Sequence, residues 1–169
     1  MTETAPTVAE IVAAHGVHVL SPHLVCRDAK AAIAFYGRAF GAETLMSLDA
    51  PDGTLLHGCV RINGSSVMLV DENPVWGALS PKALNGTPVT IHLMVDDVDG
   101  WIERAHAAGA RIVMPAEDMF WGDRYGIVED PFGHHWSIAT PVRRMSAEDL
   151  QAAATKAMSE GMGGTDGQS

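Results

Sequence analysis

The chain has 169 residues, a hydrophobic share of 47% and a formal net charge of −10, which is the composition of a globular protein with one domain or two small modules. The negative charge, with no basic cluster beyond Arg143-Arg144, argues against nucleic-acid or membrane-surface partners. No apolar run is long enough to cross a bilayer, and no basic start precedes an apolar block. We therefore expect a cytoplasmic protein whose partner is a small molecule.

The first predicted element is a short helix near the N-terminus. Thr7 and Glu10 have the spacing of a capping box, and Gly16 is a stop signal, which predicts a helix over residues 8–15. We assign residues 1–17 to an N-terminal extension.

A repeated unit organises the rest of the chain. The stretch SPHLVCRDAKAAIAFYGRAFGAE, residues 21–43, predicts a short strand, a helix capped by an Asp, and a glycine stop. The stretch TIHLMVDDVDGWIERAHAAGAR, residues 90–111, repeats this order 69 residues later, so that His23 matches His92. Matching strand, helix and glycine signals predict two copies of one supersecondary unit.

Three further strands are predicted in each copy. They cover residues 44–48, 55–62 and 66–70 in the first copy and 111–114, 124–129 and 135–140 in the second, with a loop over 115–123. The sequence thus predicts two βαβββ modules, residues 18–73 and 88–145, joined by a linker over residues 74–87. Ser146 caps a predicted C-terminal helix that reaches about residue 160, and residues 146–169 comprise this helix and a disordered tail.

The helix text AAIAFYGRAFGAE and the turn text DPFGHHW, within two tandem βαβββ modules, resemble the vicinal oxygen chelate superfamily of glyoxalase I, extradiol dioxygenases and bleomycin-resistance proteins. PDGTLLHGCVRINGSSVMLVDE, GTPVTIHLMVDDVD and FWGDRYGIVEDPFGHHWSIAT resemble its PhnB-like subgroup. The match covers residues 18–145. The resemblance implies an α+β fold whose two mixed sheets enclose a cavity, and a homodimer.

In metal-dependent members of this superfamily, the first and last strands of each module supply the ligands of a divalent ion. The resemblance places Ser21, Leu69, Thr90 and Ser137 at those positions, and none of these residue types is a good ligand. The usual glutamates are missing, so a divalent metal remains a possibility and the cofactor is unknown. An alternative metal triad is His23, Asp71 and His92, which lie two residues farther along the strands than Ser21, Leu69 and Thr90.

Several side chains are candidates for contact with a ligand. The equivalent positions of His23 and His92 predict that both line the cavity. His57 is either a base at the cavity or a hydrogen-bonded strand histidine. Trp121 offers a flat face to a planar ligand, or packs beneath its loop.

Two more candidates lie in loops or beside them. Arg124 is suited to a carboxylate or phosphonate, or else pairs with Asp123 or Glu117. Trp76 in the linker is either a gate over the cavity or a dimer contact.

Core residues and thiols complete the sequence-based assignments. Tyr36 and Phe40 are expected in the core. Cys26 and Cys59 fall in predicted strands and are interpreted as buried free thiols, with a disulfide or a thiol site as the alternative.

The leading functional hypothesis is a glyoxalase/bleomycin-resistance-like protein that binds a small organic ligand, anionic or aromatic, between its modules without an obligatory metal. Whether it only sequesters the ligand or acts on it by acid–base catalysis is left open. The rival is a lyase, isomerase or dioxygenase that binds a divalent metal through His23, His92 and Asp71. A methyltransferase is rejected, because no cofactor-binding glycine motif follows a strand.

Overall fold

The computed structural model describes residues 6–159. The elements of the first half are α1 (Val8–Ala14), β1 (His23–Cys26), α2 (Ala29–Phe40), β2 (Glu43–Asp49), β3 (Leu55–Ile62) and β4 (Ser65–Asp71). A 3₁₀ turn (Pro74–Trp76) and α3 (Pro81–Leu84) follow. The elements of the second half are β5 (Thr90–Met94), α4 (Val98–Ala108), β6 (Arg111–Asp118), β7 (Asp123–Glu129), β8 (His135–Pro141) and α5 (Ala147–Ser159).

The strands form two four-stranded mixed sheets with identical topology. The strand order is β1-β4-β3-β2 in the first sheet and β5-β8-β7-β6 in the second. The first strand pairs in parallel with the last, and the remaining pairs are antiparallel. This confirms the predicted α+β class with two βαβββ modules, and the sheets do not close into a barrel.

The helix signals in the sequence act as expected. The side chains of Asp28 and Asp97 accept hydrogen bonds from backbone N–H groups in the first turns of α2 and α4. Gly41 and Gly109 end these helices with positive φ angles, which a residue with a Cβ adopts only at a cost. The capping box of α1 is also present.

Two predicted segments differ from the structure. The predicted loop over residues 115–123 is shorter, because β6 continues to Asp118 with irregular pairing on both sides of Met114. An edge strand tolerates Pro115, whose missing N–H falls where the ladder is already interrupted. The linker is not featureless, since it holds the 3₁₀ turn and α3. The predicted disordered tail lies outside the described residues.

One hydrophobic core joins the modules. Helices α2 and α4 pack against each other, and Phe40 lies 6.0 Å from Trp101 and 4.9 Å from Trp136 between ring centroids. Tyr36 and Phe40 are 0% and 2% exposed, as expected of core residues. Both Cys26 and Cys59 are buried free thiols.

Each sheet has a helix-covered face and an open face. A Cβ added at Gly58 or Gly126 would meet an Ile side chain of α2 or α4, so both glycines face the helices. Because side chains alternate along a strand, the residues beside these glycines lie on the opposite face, which we call the open face. The site described next depends on this distinction.

No helix in the described part of the chain is long and apolar enough to span a membrane.

Candidate functional site

A cleft separates the first strands of the two modules. Its volume is about 580 Å³, and β1 contributes His23 while β5 contributes Thr90 and His92. The linker closes one side with apolar side chains, including Leu79 and Leu84. This volume falls in the range of small-molecule sites.

The described side chains that line the cleft include no carboxylate, ammonium or guanidinium group, and its titratable groups are imidazoles. Among the described residues, none of those lining it is Asp, Glu, Lys or Arg. Its polar side chains are the imidazoles of His23, His92 and His134 and the hydroxyls of Thr87 and Thr90, and its other lining residues are apolar. Such a lining favours an uncharged organic molecule over an anion.

His92 is held in place by its neighbours on the open face of module two. Its Nδ1 lies 2.8 Å from Ser137 Oγ, and its Nε2 lies 3.0 Å from Met94 Sδ. Ser137 is the register partner of His92 and is 3% exposed. This buried hydroxyl orients the imidazole within the cleft.

Aromatic rings continue from His92 along the same face. The Tyr125 ring is stacked near His92 with a centroid distance of 6.2 Å, and Trp121 lies edge-on to Tyr125 at 5.5 Å. Trp121 Nε1 donates to Asp123 Oδ2 at 3.1 Å, which fixes the indole. We call His92, Tyr125 and Trp121 the aromatic row. Of these three residues only His92 lines the cleft, so the predicted contact residue Trp121 lies beyond it on the same face.

The open face of module one has a different composition. The His23 and His57 rings meet edge-on with centroids 5.8 Å apart. Burial, and secondarily the neighbouring His57, lowers the pKa of His23 below its ordinary value of 6.5. His57 therefore does share a face with His23, although it does not line the cleft.

Two further predicted contact residues, Arg124 and Trp76, also lie away from the cleft. Arg124 alternates with Tyr125 and lies on the helix-covered side, where its Nε and Nη2 donate to Asp99 at 2.6 and 2.8 Å and its Nη1 to Asp118 at 3.2 Å. These carboxylates, not the Asp123 or Glu117 of the sequence interpretation, are its partners. Trp76 is 79% exposed and does not line the cleft.

The predicted metal triad of His23, His92 and Asp71 is wrong for Asp71. This residue is the register partner of the buried Cys26 and lies on the helix-covered face, opposite to His23. Its carboxylate accepts backbone hydrogen bonds from Ala29 and Leu55 at 2.6 and 2.7 Å. The error arose because Leu69, taken as the reference position on β4, also faces the helices.

The residues present do not fit the divalent metal of the superfamily. Ser21 and Ser137 are on the open faces, but their hydroxyls are hydrogen-bonded to Ser66 and His92. Across residues 6–159, no three His, Cys, Asp or Glu side chains are grouped so that they could hold a metal ion. Neutral hydroxyls are poor donors for such an ion.

Sequence reasoning missed a buried network at the module interface. Asp130, 2% exposed, accepts hydrogen bonds from Tyr36 Oη at 2.7 Å and Trp136 Nε1 at 3.0 Å. Its other oxygen accepts the backbone N–H groups of Phe132 and His134, each at 2.9 Å. The DPFG turn signal was visible, but the contact with Tyr36 joins residues 94 positions apart.

From the sequence, His134 is expected only to complete the turn before the last strand and His18 has no assigned role, yet both form long-range contacts. His134 Nε2 lies 3.1 Å from the carbonyl oxygen of Val25, and burial lowers the pKa of His134 below 6.5. His18 Nδ1 accepts a hydrogen bond from Ser66 N at 3.2 Å. These contacts join β1 to module two and the segment before β1 to β4.

Comparisons with known proteins agree on one family. The family model described as "Glyoxalase/Bleomycin resistance protein/Dioxygenase superfamily" matches residues 15–138. The uncharacterized protein Rv0887c of Mycobacterium tuberculosis is 53% identical over 137 residues, which cover 79% of this chain and 81% of that protein.

Solved structures share the fold. TioX from Micromonospora sp. ML1 has a TM-score of 0.60 and 30% identity, with 72% of this chain and 97% of TioX covered. A PhnB protein from Bacillus cereus, titled a putative 3-demethylubiquinone-9 3-methyltransferase, has a TM-score of 0.55 and 17% identity, with 73% and 99% covered. The second likeness shows the fold alone, and the PhnB-like subgroup stays a prediction.

Proposed function

Because this chain belongs to the glyoxalase/bleomycin resistance protein/dioxygenase superfamily, we propose that it binds a small, uncharged planar organic molecule in the cleft between its modules, without a divalent metal. The observation that carries this proposal is the cleft itself. It has the volume of a ligand site, apolar walls, no carboxylate, lysine or arginine among its described lining residues, and one histidine from the equivalent strand of each module.

The aromatic row supports the planar character of the ligand. His92 belongs both to the cleft and to the row, so a planar ligand that hydrogen-bonds to the imidazole and extends out of the cleft along this face would reach Tyr125 and then Trp121. Aromatic side chains contribute large contact areas with few rotatable bonds, which limits the entropic cost of binding. An anionic ligand has less support, since Arg124 is paired with two carboxylates on the other side of β7.

The test is a thermal-shift screen of the full chain against planar aromatics in matched neutral and carboxylated forms. We expect neutral members to raise the melting temperature more than their carboxylated counterparts. His92→Ala should weaken the best ligand by about tenfold or more, the equivalent of about 1.4 kcal/mol. The control is His106→Ala, whose imidazole lies on α4 and contacts the backbone oxygen of Ala110.

Two outcomes would contradict the proposal. One is a screen in which only carboxylated members bind. The other is equal binding by the His92→Ala and His106→Ala proteins.

The homodimer is a further proposal. Val75 and Trp76 are 91% and 79% exposed on a turn that is held by reciprocal backbone hydrogen bonds between Asn73 and Ala78. A rigid turn that presents two large apolar side chains is typical of a protein interface. Light scattering should give the mass of a dimer, and Trp76→Ser should shift it toward the monomer. A monomeric wild-type protein at micromolar concentration would contradict this proposal.

A further inference from the structure

The open face of module one gathers nitrogen and sulfur donors in one place. The register makes His23 the partner of Met68, Met68 the partner of Cys59, and Cys59 the partner of Met46. These four residues therefore form a row across all four strands on the same face. His57, two residues before Cys59, lies on that face as well.

The two imidazoles converge above β4. Neighbouring strands are about 4.8 Å apart, so β1 and β3 are separated by about twice that distance. The ring centroids of His23 and His57 are nevertheless only 5.8 Å apart. Both rings thus lean inward over β4, the strand that carries Met68.

Neither imidazole is used by the fold. The other six histidines each have a hydrogen bond or a carboxylate within 4 Å. Within the described residues, His23 and His57 have only each other as ring partners and no hydrogen bond. In its neutral form each ring therefore has one nitrogen with a free lone pair.

The spacing of the rings fits a shared ion. A histidine nitrogen binds a metal at about 2.0–2.1 Å, which places the ring centroid about 3.2 Å from the ion. Two such rings have centroids about 5.2 Å apart at a tetrahedral angle and about 6.4 Å apart when linear. The observed 5.8 Å lies between these limits.

We propose that His23, His57 and Met68 form a binding site for a soft monovalent metal ion, Cu(I). Thioether sulfur is a soft ligand that selects Cu(I), and imidazole suits copper as well. The site contains no carboxylate, so hard divalent ions gain little from it. Among the described residues, no three His, Cys, Asp or Glu side chains are grouped to hold a metal ion. The proposed site needs no such group, because its third donor is the thioether of Met68.

This site shares His23 with the cleft of the proposed organic ligand, and its other two donors lie outside that cleft. Met68 and His57 do not line the cleft, and module two has no equivalent imidazole pair, because Tyr125 stands where module one has His57. The sulfur of Met94 beside His92 provides a matched control, since it is a thioether on an open face with a single imidazole.

The experiment is an anaerobic titration of the full chain with Cu(I) in competition with a chromogenic Cu(I) chelator. We expect one tightly bound ion per chain. Loss of second-shell partners alone costs about 10- to 100-fold in metal affinity, so His57→Phe, which keeps the ring and removes both nitrogens, should cost about 100-fold or more. Met68→Leu should also weaken binding by at least about tenfold.

Met94→Leu and Cys59→Ser should retain the wild-type affinity, and Zn(II) should not displace Cu(I) at equal concentration. Each variant is first shown to melt cooperatively, and His23→Phe replaces any variant that does not. The proposal is overturned by a wild-type protein that binds no Cu(I), by unchanged affinity in His57→Phe and Met68→Leu, or by an equal loss in Met94→Leu. Retained binding of the planar ligand in Met68→Leu separates this result from the test of the cleft.

Discussion

The two modules share their helix-covered faces and differ on their open faces. On the covered side, Gly58 corresponds to Gly126, and each leaves room for an Ile of the helix above it. Asp71 corresponds to Thr140, and each accepts a hydrogen bond from a backbone N–H at the start of its module's helix.

On the open side the chemistry separates. His57 of module one corresponds to Tyr125, and Met68 corresponds to Ser137. Even a shared ion pair is reversed, since Glu43–Arg61 in module one becomes Arg111–Glu129 in module two. Packing against a helix restricts side-chain volume on the covered face of each module. The open face has no such restriction, and the two modules carry different polar and aromatic side chains there.

The largest expected loss of stability concerns Asp130, a position at which the helix-covered faces of the two modules differ. Asp130 of module two corresponds to Ile62 of module one, so the interface network has no counterpart. Asp130→Ala leaves four donors without their acceptor, three buried and one half-buried, and each unsatisfied buried donor costs about 1–3 kcal/mol, although these costs are not additive. We expect the free energy of unfolding to fall by about 3–5 kcal/mol, measured by urea denaturation.

Tyr36→Phe is the matched control for Asp130→Ala. It removes a single donor to the carboxylate and should cost about 1 kcal/mol. A loss below about 1 kcal/mol in Asp130→Ala would show that water replaces the carboxylate and that the network does not hold the modules together.

A smaller effect tests the equivalence of Asp71 and Thr140. Asp71→Ala removes the acceptor for the N–H groups of Ala29 and Leu55 and should cost about 1–2 kcal/mol, as loss of a helix cap does. Thr140→Ala should cost about 1 kcal/mol or less, because the hydroxyl accepts one hydrogen bond. Both are measured by urea denaturation.

The same Asp71→Ala protein also tests the rejected metal triad. Its affinity for the planar ligand and for Cu(I) should equal that of the wild type, because the carboxylate faces the helices. A specific loss of either ligand in a stably folded Asp71→Ala protein would restore this residue to the site.

The smallest effect concerns pH. Desolvation lowers the pKa of His134 below 6.5, Asp130 acting in the opposite direction and His135 in the same one. The unfolded chain then binds a proton that the folded protein does not, so the free energy of unfolding decreases as pH falls below about 6.5. The depressed pKa of His23 acts with the same sign.

Module one has Ser65 at the position that corresponds to His134. The contribution of His134 to the pH dependence of stability therefore has no counterpart in module one. His134→Gln should reduce the slope of melting temperature against pH between about pH 7.5 and pH 5. An unchanged slope would exclude His134 as its source.

Local signals were enough to predict the fold. The capping Asp residues, the glycine stops and the repeat itself fix the order of strands and helices without reference to distant contacts, and the structure confirms them. The length of β6 was wrong because Pro115 is a strong breaker signal, and only the irregular pairing on an edge strand makes it acceptable.

The site was less predictable because it depends on the face toward which each strand residue points. The repeat placed His23 and His92 together at the cleft correctly. An alignment shifted by one residue on β4 placed Asp71 on the wrong face, and a one-residue shift reverses every side chain of a strand. Contacts such as Tyr36 with Asp130 leave no mark in a local pattern.

The measurement that tests the central claim most directly is a double comparison of Met68→Leu and Trp121→Leu. Each protein is titrated with Cu(I) and with the best planar ligand from the screen. Met68→Leu should lose affinity for Cu(I) alone. Trp121→Leu should lose affinity for the planar ligand alone, by about tenfold, because the half-buried indole is the outer ring of the aromatic row. If either substitution weakened both ligands equally, the two open faces would form one site, and the division of chemistry between the modules would be contradicted.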